Sequence, residues 1–310
     1  MAYLSTVSNK KQNTFTGSKG ISLELTETYW DNELPDSDSD GTKDDLDGDG
    51  MPDTVKGSEA ANGYTPGTKI FKNPVLKNTT TESNAGTEWV AIAVSYQIKN
   101  VKVKNDDDTV ADKTLPIPYE QMCSFIDSID FRTTAADSGY WIPVYMSTKI
   151  ETNKGVIDTS SINDTVSDEN KNKSKGQAFA IFLYSKTLEQ TQSTVALFNK
   201  INIKTQENLV NEATGLKVLN TYIKSVVGED KLAQEFTADI NKAAYLPQFD
   251  INVIGAAVKN EYKKDGTSDA ATKTSELSST DKSELLKNLV EVLGNNMVNK
   301  DEIFKVGASS

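Results

Sequence analysis

The chain has 310 residues, of which 36% are apolar, with a mean hydropathy of -0.49 and a formal net charge of -12. A chain of this length can bury a substantial core without cross-links. Its acidity disfavours nucleic acid and anionic membranes as partners, because both require a basic footprint. Histidine is absent and Cys123 is the only cysteine. This excludes HExxH zinc peptidases, Ser-His-Asp and Cys-His hydrolases and any intrachain disulfide.

Apolar patterning predicts a mainly β chain. Ile21, Leu23 and Leu25 alternate with polar residues, which is typical of a half-buried strand. Further strands are predicted around Ile70 and Val75 and over 88–104, 140–147, 177–188, 195–204 and 249–258. Because strands and helices do not alternate regularly, this order favours an antiparallel jelly-roll sandwich with inserted helices over a doubly wound sheet.

Two regions near the C-terminal end predict helices. Residues 205–246 carry apolar side chains at three- and four-residue spacings, which indicates a helical insertion between two strands. A linker-like stretch then leads to a final helix, whose start is indicated by Asp281 and Glu284. Its apolar stripe is Leu285, Leu286, Leu289, Val290 and Leu293. We expect this stripe to pack on the main domain, with an intersubunit contact as the alternative.

An acidic segment carries the strongest chemical signal. Eight Asp lie between Asp36 and Asp53, with Lys43 as their only basic neighbour. Calcium binds six or more oxygens gathered by a tightly turning backbone, and alternate Asp residues followed by Gly supply both. This spacing occurs in two overlapping registers. The first predicts ligands at Asp36, Asp38, Asp40, Thr42 (through its carbonyl), Asp44 and Asp47, and the second at Asp45, Asp47, Asp49, Met51 (through its carbonyl) and Asp53.

The two registers fit one class of calcium-binding loop better than another. Neither ends in the bidentate Glu of an EF-hand, and neither is flanked by clear amphipathic helices. The overlapping pattern instead resembles the calcium repeats of the thrombospondin type 3 class, in which successive ions share carboxylates and metal orders the segment. Magnesium is disfavoured because flexible all-carboxylate loops suit the larger ion. The alternative is a solvated acidic loop that binds no metal.

The apolar segments and the predicted calcium ligands both bear on where the protein is located. No apolar run is long enough to span a bilayer, and the N-terminus lacks the apolar core of a signal peptide. We therefore expect either a cytosolic chain or a secreted chain that is already processed. Calcium affinity in the millimolar range is useful outside the cell, so the acidic segment favours secretion.

Several short motifs resemble the TasA/camelysin family, secreted Gram-positive proteins exported with a SipW-type signal peptide. The N-terminal stretch AYLSTVSNKKQNTFTGSKGISLELTETYWD is similar to the family's mature start. Four further motifs agree, namely YTPGTKIFKNPVLKNT, EWVAIAVSY, TVALFNKINI and LPQFDINVIGAAV. Together they cover the chain from residue 2 to about residue 260.

The resemblance implies a jelly roll decorated with helices that polymerises into biofilm-matrix fibres. In such fibres the N-terminal segment of one subunit completes the sheet of the next copy, which is β-augmentation in physical terms. The donor segment would be residues 1–16, followed by a jelly-roll domain over 17–262 and a linker with a C-terminal helix over 263–310. The anchors of the donor segment would be Ala2, Tyr3, Leu4, Val7 and Phe15.

The chain departs from the family pattern in two places, and other functions stay open. Residues 36–53 are an insertion, and the tail after Tyr262 has no clear counterpart. Some camelysins are described as metallopeptidases, but this chain has no HExxH motif, so we expect a structural protein and no enzyme. The alternatives for its function are a monomeric calcium-dependent surface adhesin and, third, a camelysin-type metallopeptidase. The alternative for the N-terminal segment is that it folds back on its own sheet.

Overall fold

The computed structural model describes residues 22–46, 48–81, 87–145 and 179–259, together with Leu285, Leu289 and Leu293. Over these residues the protein is mainly β, as predicted. The strands are β1 (Leu23–Glu27), β2 (Lys69–Phe71), β3 (Pro74–Asn78), β4 (Glu88–Lys104), β5 (Val110–Pro116), β6 (Ile126–Ile129), β7 (Trp141–Tyr145), β8 (Phe179–Tyr184), β9 (Lys200–Ile203) and β10 (Gln248–Lys259). The helices are α1 (Thr28–Asp31), α2 (Gly57–Ala61), α3 (Tyr119–Met122), α4 (Gln206–Val210) and α5 (Leu216–Val227).

The described strands form three sheets, and every pairing between them is antiparallel. The largest has five strands in the order β10-β4-β8-β7, with β5 paired to the second half of β4. A second sheet joins β1 to β3, and a third runs β2-β9-β6. Antiparallel pairing confirms the coarse prediction, while the jelly-roll topology stays a prediction.

Strand β4 is the centre of the molecule because both of its faces are buried. Val90, Ile92 and Val94 point to the main core, where they join aromatic side chains such as Phe182 and Phe249. The long unbroken apolar run at the start of β4 is typical of a central strand. The predicted strand over 88–104 has the predicted bounds, and the strand predicted over 249–258 is β10.

The predicted helical insertion is correct only in its first half. Helices α4 and α5 are present, but residues 228–247 contain no helix. Instead, Lys104 N–H donates to Lys231 O, and Ala233 N–H donates to Lys102 O. The segment therefore runs beside β4, and this pairing overrides a helical spacing that was only a weak local preference. Phe236 is buried beside α5, where Asn220 bonds both its N–H and its carbonyl.

The C-terminal helix prediction is confirmed at three positions. Leu285, Leu289 and Leu293 are helical and are 0%, 1% and 0% exposed. The predicted donor segment, Ala2 to Phe15, lies outside the described residues. None of the described helices combines the length and apolar character that crossing a membrane would require.

Candidate metal centre

The acidic segment lies between α1 and α2, on a base of buried side chains. Trp30 at the end of α1 and Leu34 just beyond it are 4% and 2% exposed. Beside them, Lys72 Nζ lies 2.5 Å from Glu27 Oε1 and 5.0 Å from the centre of the Trp30 ring. Both side chains of this ion pair are almost fully buried. The exposed Asp residues therefore follow directly on a cluster of buried side chains.

Residues 36–44 form a first acidic turn, in which carboxylates accept hydrogen bonds from the backbone. Local Asp-to-backbone bonds of this kind are the usual alternative to helix or sheet pairing. The bonds of this turn are Gly41 N–H to Asp36 Oδ2 (3.0 Å), Thr42 N–H to Asp40 Oδ1 (2.7 Å), Ser37 N–H to Asp44 Oδ1 (2.9 Å) and Asp44 N–H to Pro35 O (2.9 Å).

Residues 45–53 form a second acidic turn that repeats these bonds nine positions later. The repeated bonds are Gly50 N–H to Asp45 Oδ2 (2.7 Å), Met51 N–H to Asp49 Oδ1 (2.9 Å), Leu46 N–H to Asp53 Oδ2 (2.8 Å) and Asp53 N–H to Asp44 O (3.1 Å). Two loops with different residues between the Asp positions thus share these four bonds, which the Asp and Gly positions common to both loops account for. The loops differ at the first Asp, because Asp45 Oδ1 accepts from the N–H groups of Gly48 and Asp49, whereas Asp36 Oδ1 has no hydrogen-bond partner.

Glycine is required at the sixth position of each turn. Gly41 has φ +87° and Gly50 has φ +88°, a left-handed conformation that residues with a Cβ adopt only at a cost. No atom of another residue lies within 4 Å of where a Cβ would stand, so backbone conformation alone explains the glycine. Each left-handed glycine lies within a turn that is closed by a bond from the N–H of its second residue to the Asp at its ninth position.

Asp36, Asp38 and Asp40 form a group that could hold a cation. One carboxylate oxygen from each lies within 4.8 Å of the others. Asp36 Oδ1 is buried and has no hydrogen-bond partner, whereas its Oδ2 accepts from Gly41 N–H. A buried anionic oxygen without a donor is costly, and a bound cation would remove that cost. The set consists of hard oxygen ligands, which is the chemistry that calcium prefers.

The structure gives the predicted ligands two different roles. Asp44 and Asp53 occupy the ninth position of their turns and hold them closed by accepting N–H bonds from residues 37 and 46. Ser37 Oγ also donates to Asp44 Oδ2 at 2.5 Å. These bonds, with Lys43 contributing less, lower the pKa of Asp44 below its usual value. Sequence spacing alone did not identify this closing role.

In the second turn the structure describes Asp45, Asp49 and Asp53. Asp47, which would occupy the position equivalent to Asp38, lies outside the described residues. Asp45 accepts the N–H groups of residues 48, 49 and 50, and Asp49 Oδ2 lies 3.1 Å from Lys69 Nζ. Thr42 and Met51 are placed by the N–H bonds above, and Met51 is 68% exposed.

Two basic side chains border the acidic turns. Lys43 Nζ lies 3.1 Å from Glu33 Oε2, and Lys69 Nζ reaches Asp49 from β2. Sequence reasoning did not identify Ser37, Glu33 or Lys69 as neighbours of the site. Ser37 and Leu46 stand nine positions apart, at the same place in the two repeated turns, and this repeat could have indicated Ser37. No sequence pattern indicates Lys69, because only the tertiary fold brings it to the acidic turns.

No family model matches the chain, and searches of curated proteins and of solved structures give no significant match. The resemblance to the TasA/camelysin family therefore rests on the residues quoted for it and stays a prediction.

Proposed function

We propose that this protein is a secreted structural subunit of an extracellular filament of the biofilm-matrix type. Its jelly-roll domain assembles with copies of itself by donor-strand exchange, and calcium stabilises the acidic turns. The observation that carries the calcium part is the buried, unpartnered oxygen of Asp36, in a turn that shares four hydrogen bonds with the turn nine residues later. Repulsion between closely spaced carboxylates opposes these turns until a cation binds.

The assembly part of the proposal is supported by the position of β1. Within the described part of the chain, β1 pairs with β3 alone, through residues such as Glu24 and Thr26. An edge strand presents unpaired backbone groups to which a further strand can add. Strand β1 begins at Leu23, shortly after the predicted donor segment. Within the described residues, the strand that follows the predicted donor segment therefore has one strand partner, and its other side is the proposed place for the donor of another copy.

Calcium titration followed by isothermal calorimetry tests the metal part. We expect wild-type protein to bind calcium with millimolar-range affinity and the Asp38→Ala and Asp47→Ala variants to bind less. Asp137→Ala is the matched control, because it removes an exposed carboxylate from another loop. Absence of any calcium heat with the wild-type protein would contradict the metal proposal.

Electron microscopy with calcium and with chelator tests the assembly part. We expect filaments from the full chain and none after deletion of residues 2–16, while the deleted chain still unfolds cooperatively. Filaments that are unaffected by the deletion would contradict donor-strand exchange. Persistent monomers of the full chain under both conditions would contradict the filament itself.

A calcium-dependent surface-binding protein is a second candidate, favoured by a polar groove beside the second half of β4. The groove encloses about 300 Å³ and includes Tyr245 and Gln248 in its lining. Asn100, at a bulge of β4, lines it with a left-handed backbone of φ +54°, and such conformations concentrate at binding sites. For this candidate, Tyr245→Ala should weaken adhesion to cell surfaces, and deletion of residues 2–16 should leave adhesion intact.

A further inference from the structure

The outer face of the five-stranded sheet is apolar and buried around the first half of β4. Trp89, Ala91 and Ala93 of β4 are no more than 1% exposed, yet they point away from the main core, since alternate residues of a strand lie on opposite faces. Their cross-strand neighbours share this face, because directly paired residues of an antiparallel sheet point the same way. These neighbours are Leu183 and Ile181 on β8 and Ala256, Ile254 and Val258 on β10. The first three are buried, and Ile254 and Val258 are half-buried.

The C-terminal helix carries a buried apolar stripe that matches this face. Leu285, Leu289 and Leu293 recur every fourth residue, so they form one stripe on one side of the helix. Each is at most 1% exposed, and none belongs to the main core cluster. The chain thus contains a buried sheet face and a buried helix stripe that are both outside the main core.

We propose that the helix carrying Leu285, Leu289 and Leu293 docks on the outer face of the five-stranded sheet of its own chain. The lengths agree. Two helical positions as far apart as Leu285 and Leu293 stand about 12 Å apart along a helix axis, and the strand from Trp89 to Ala93 spans about 13 Å. The small side chains of Ala91, Ala93 and Ala256 leave room for three leucines, while Trp89, Ile181 and Leu183 border them.

This docking defines an interaction surface that the proposed function does not require. The occupant is a segment of the same chain, because the leucines and the sheet face are buried in a single copy. When the helix is docked, this face is closed to other partners. When the helix leaves, a contiguous apolar patch is exposed, and such patches promote association. The helix therefore acts as a cover for one side of the subunit.

Thiol labelling tests the cover in the full-length protein. In a Cys123→Ser background, which removes the native thiol, Ala93→Cys reports on the outer face and Ala180→Cys reports on the inner core. Leu289→Asp places a charge in the stripe. Ile240→Asp is the matched control, because Ile240 is 71% exposed.

We expect Leu289→Asp to accelerate labelling at position 93 at least about tenfold and to leave position 180 protected. Ile240→Asp should change neither. Unchanged labelling at position 93 would overturn the proposal. If Leu289→Asp accelerates both positions through global unfolding, the milder Leu285→Ala decides: selective acceleration at position 93 supports the cover, and none contradicts it. Protection found only in dimers, measured by sedimentation, would overturn docking within one chain.

Discussion

The acidic turns and the ends of the buried sheets hold carboxylates in opposite ways. In the turns, Asp carboxylates are mostly exposed, accept backbone N–H bonds and remain close to one another. In the core, Glu27 has a buried lysine partner, and Glu88 has none. Among the described residues, the closely spaced carboxylates of the turns are exposed to solvent. Glu27 and Glu88 are shielded from it, the first beside a lysine and the second with a pKa raised by burial.

Glu88 illustrates removal of charge by protonation. Its side chain is buried at the start of β4, with Thr80 Oγ1 donating to Oε1 at 2.5 Å and Oε2 without a hydrogen-bond partner. Burial raises the pKa of Glu88 to about 7, although the bonds from Thr80 and Ser22 oppose this. Glu88 is therefore mainly neutral in mildly acidic solution.

The largest expected effect comes from breaking the Glu27–Lys72 pair. Lys72→Met leaves Glu27 charged, buried and alone, so we expect a loss of about 3–5 kcal/mol in the free energy of unfolding. Urea unfolding measures it. The control is Lys69→Met, which breaks the exposed pair with Asp49 and should cost no more than about 1 kcal/mol. The double variant Lys72→Met with Glu27→Leu should recover most of the loss; if it does not, the ion pair is not the cause.

The second effect is the pH dependence of Glu88. Its pKa in the folded state, about 7, exceeds the ordinary value of 4.5, so the folded state binds more protons between these values. Its contribution to stability is therefore fully present below pH 4.5 and is lost as the pH rises through 7. Glu88→Gln stays neutral and keeps an acceptor for Thr80. We expect it to exceed the wild type by up to about 3 kcal/mol at pH 8.

Unfolding curves of both proteins from pH 4 to pH 8, with chelator present, measure this difference. The two proteins should agree at the acid end and diverge as the pH rises. Parallel curves over the whole range would mean that Glu88 is already charged in the folded protein.

The acidic turns depend on local contacts and the buried carboxylates on distant ones, and this difference explains what could be predicted from the sequence. The strand over 88–104 and the two calcium registers depend on neighbours along the chain, and their patterns are visible in the sequence. The burial of Lys72 against Glu27 depends on residues 45 positions apart, so no local pattern indicates it. For the same reason residues 228–246 were predicted as helix, although residues 231–233 pair with the end of β4.

A smaller effect is expected from the glycines of the acidic turns. Gly50→Ala places a Cβ at φ +88° without a steric clash, so it should destabilise the turn by about 1–2 kcal/mol. Ser39 has φ +59° at the position that Gly48, with φ +79°, occupies in the second turn. Ser39→Gly should therefore stabilise the first turn, whereas Gly50→Ala destabilises the second. Amide hydrogen exchange in chelator measures both, and equal signs would refute a backbone origin.

The smallest effect concerns a single hydroxyl. Ser37→Ala removes the Oγ donor, the largest cause of the low pKa of Asp44, but keeps the Ser37 N–H bond. The pKa of Asp44 should therefore rise toward its usual value without reaching it, because N–H donation still favours the carboxylate. Carboxyl NMR titration in chelator measures this, with Asp107, whose low pKa depends on Thr109, as the internal control. An unchanged pKa for Asp44 would mean that the backbone alone closes the turn, as it does at Leu46, which has no hydroxyl.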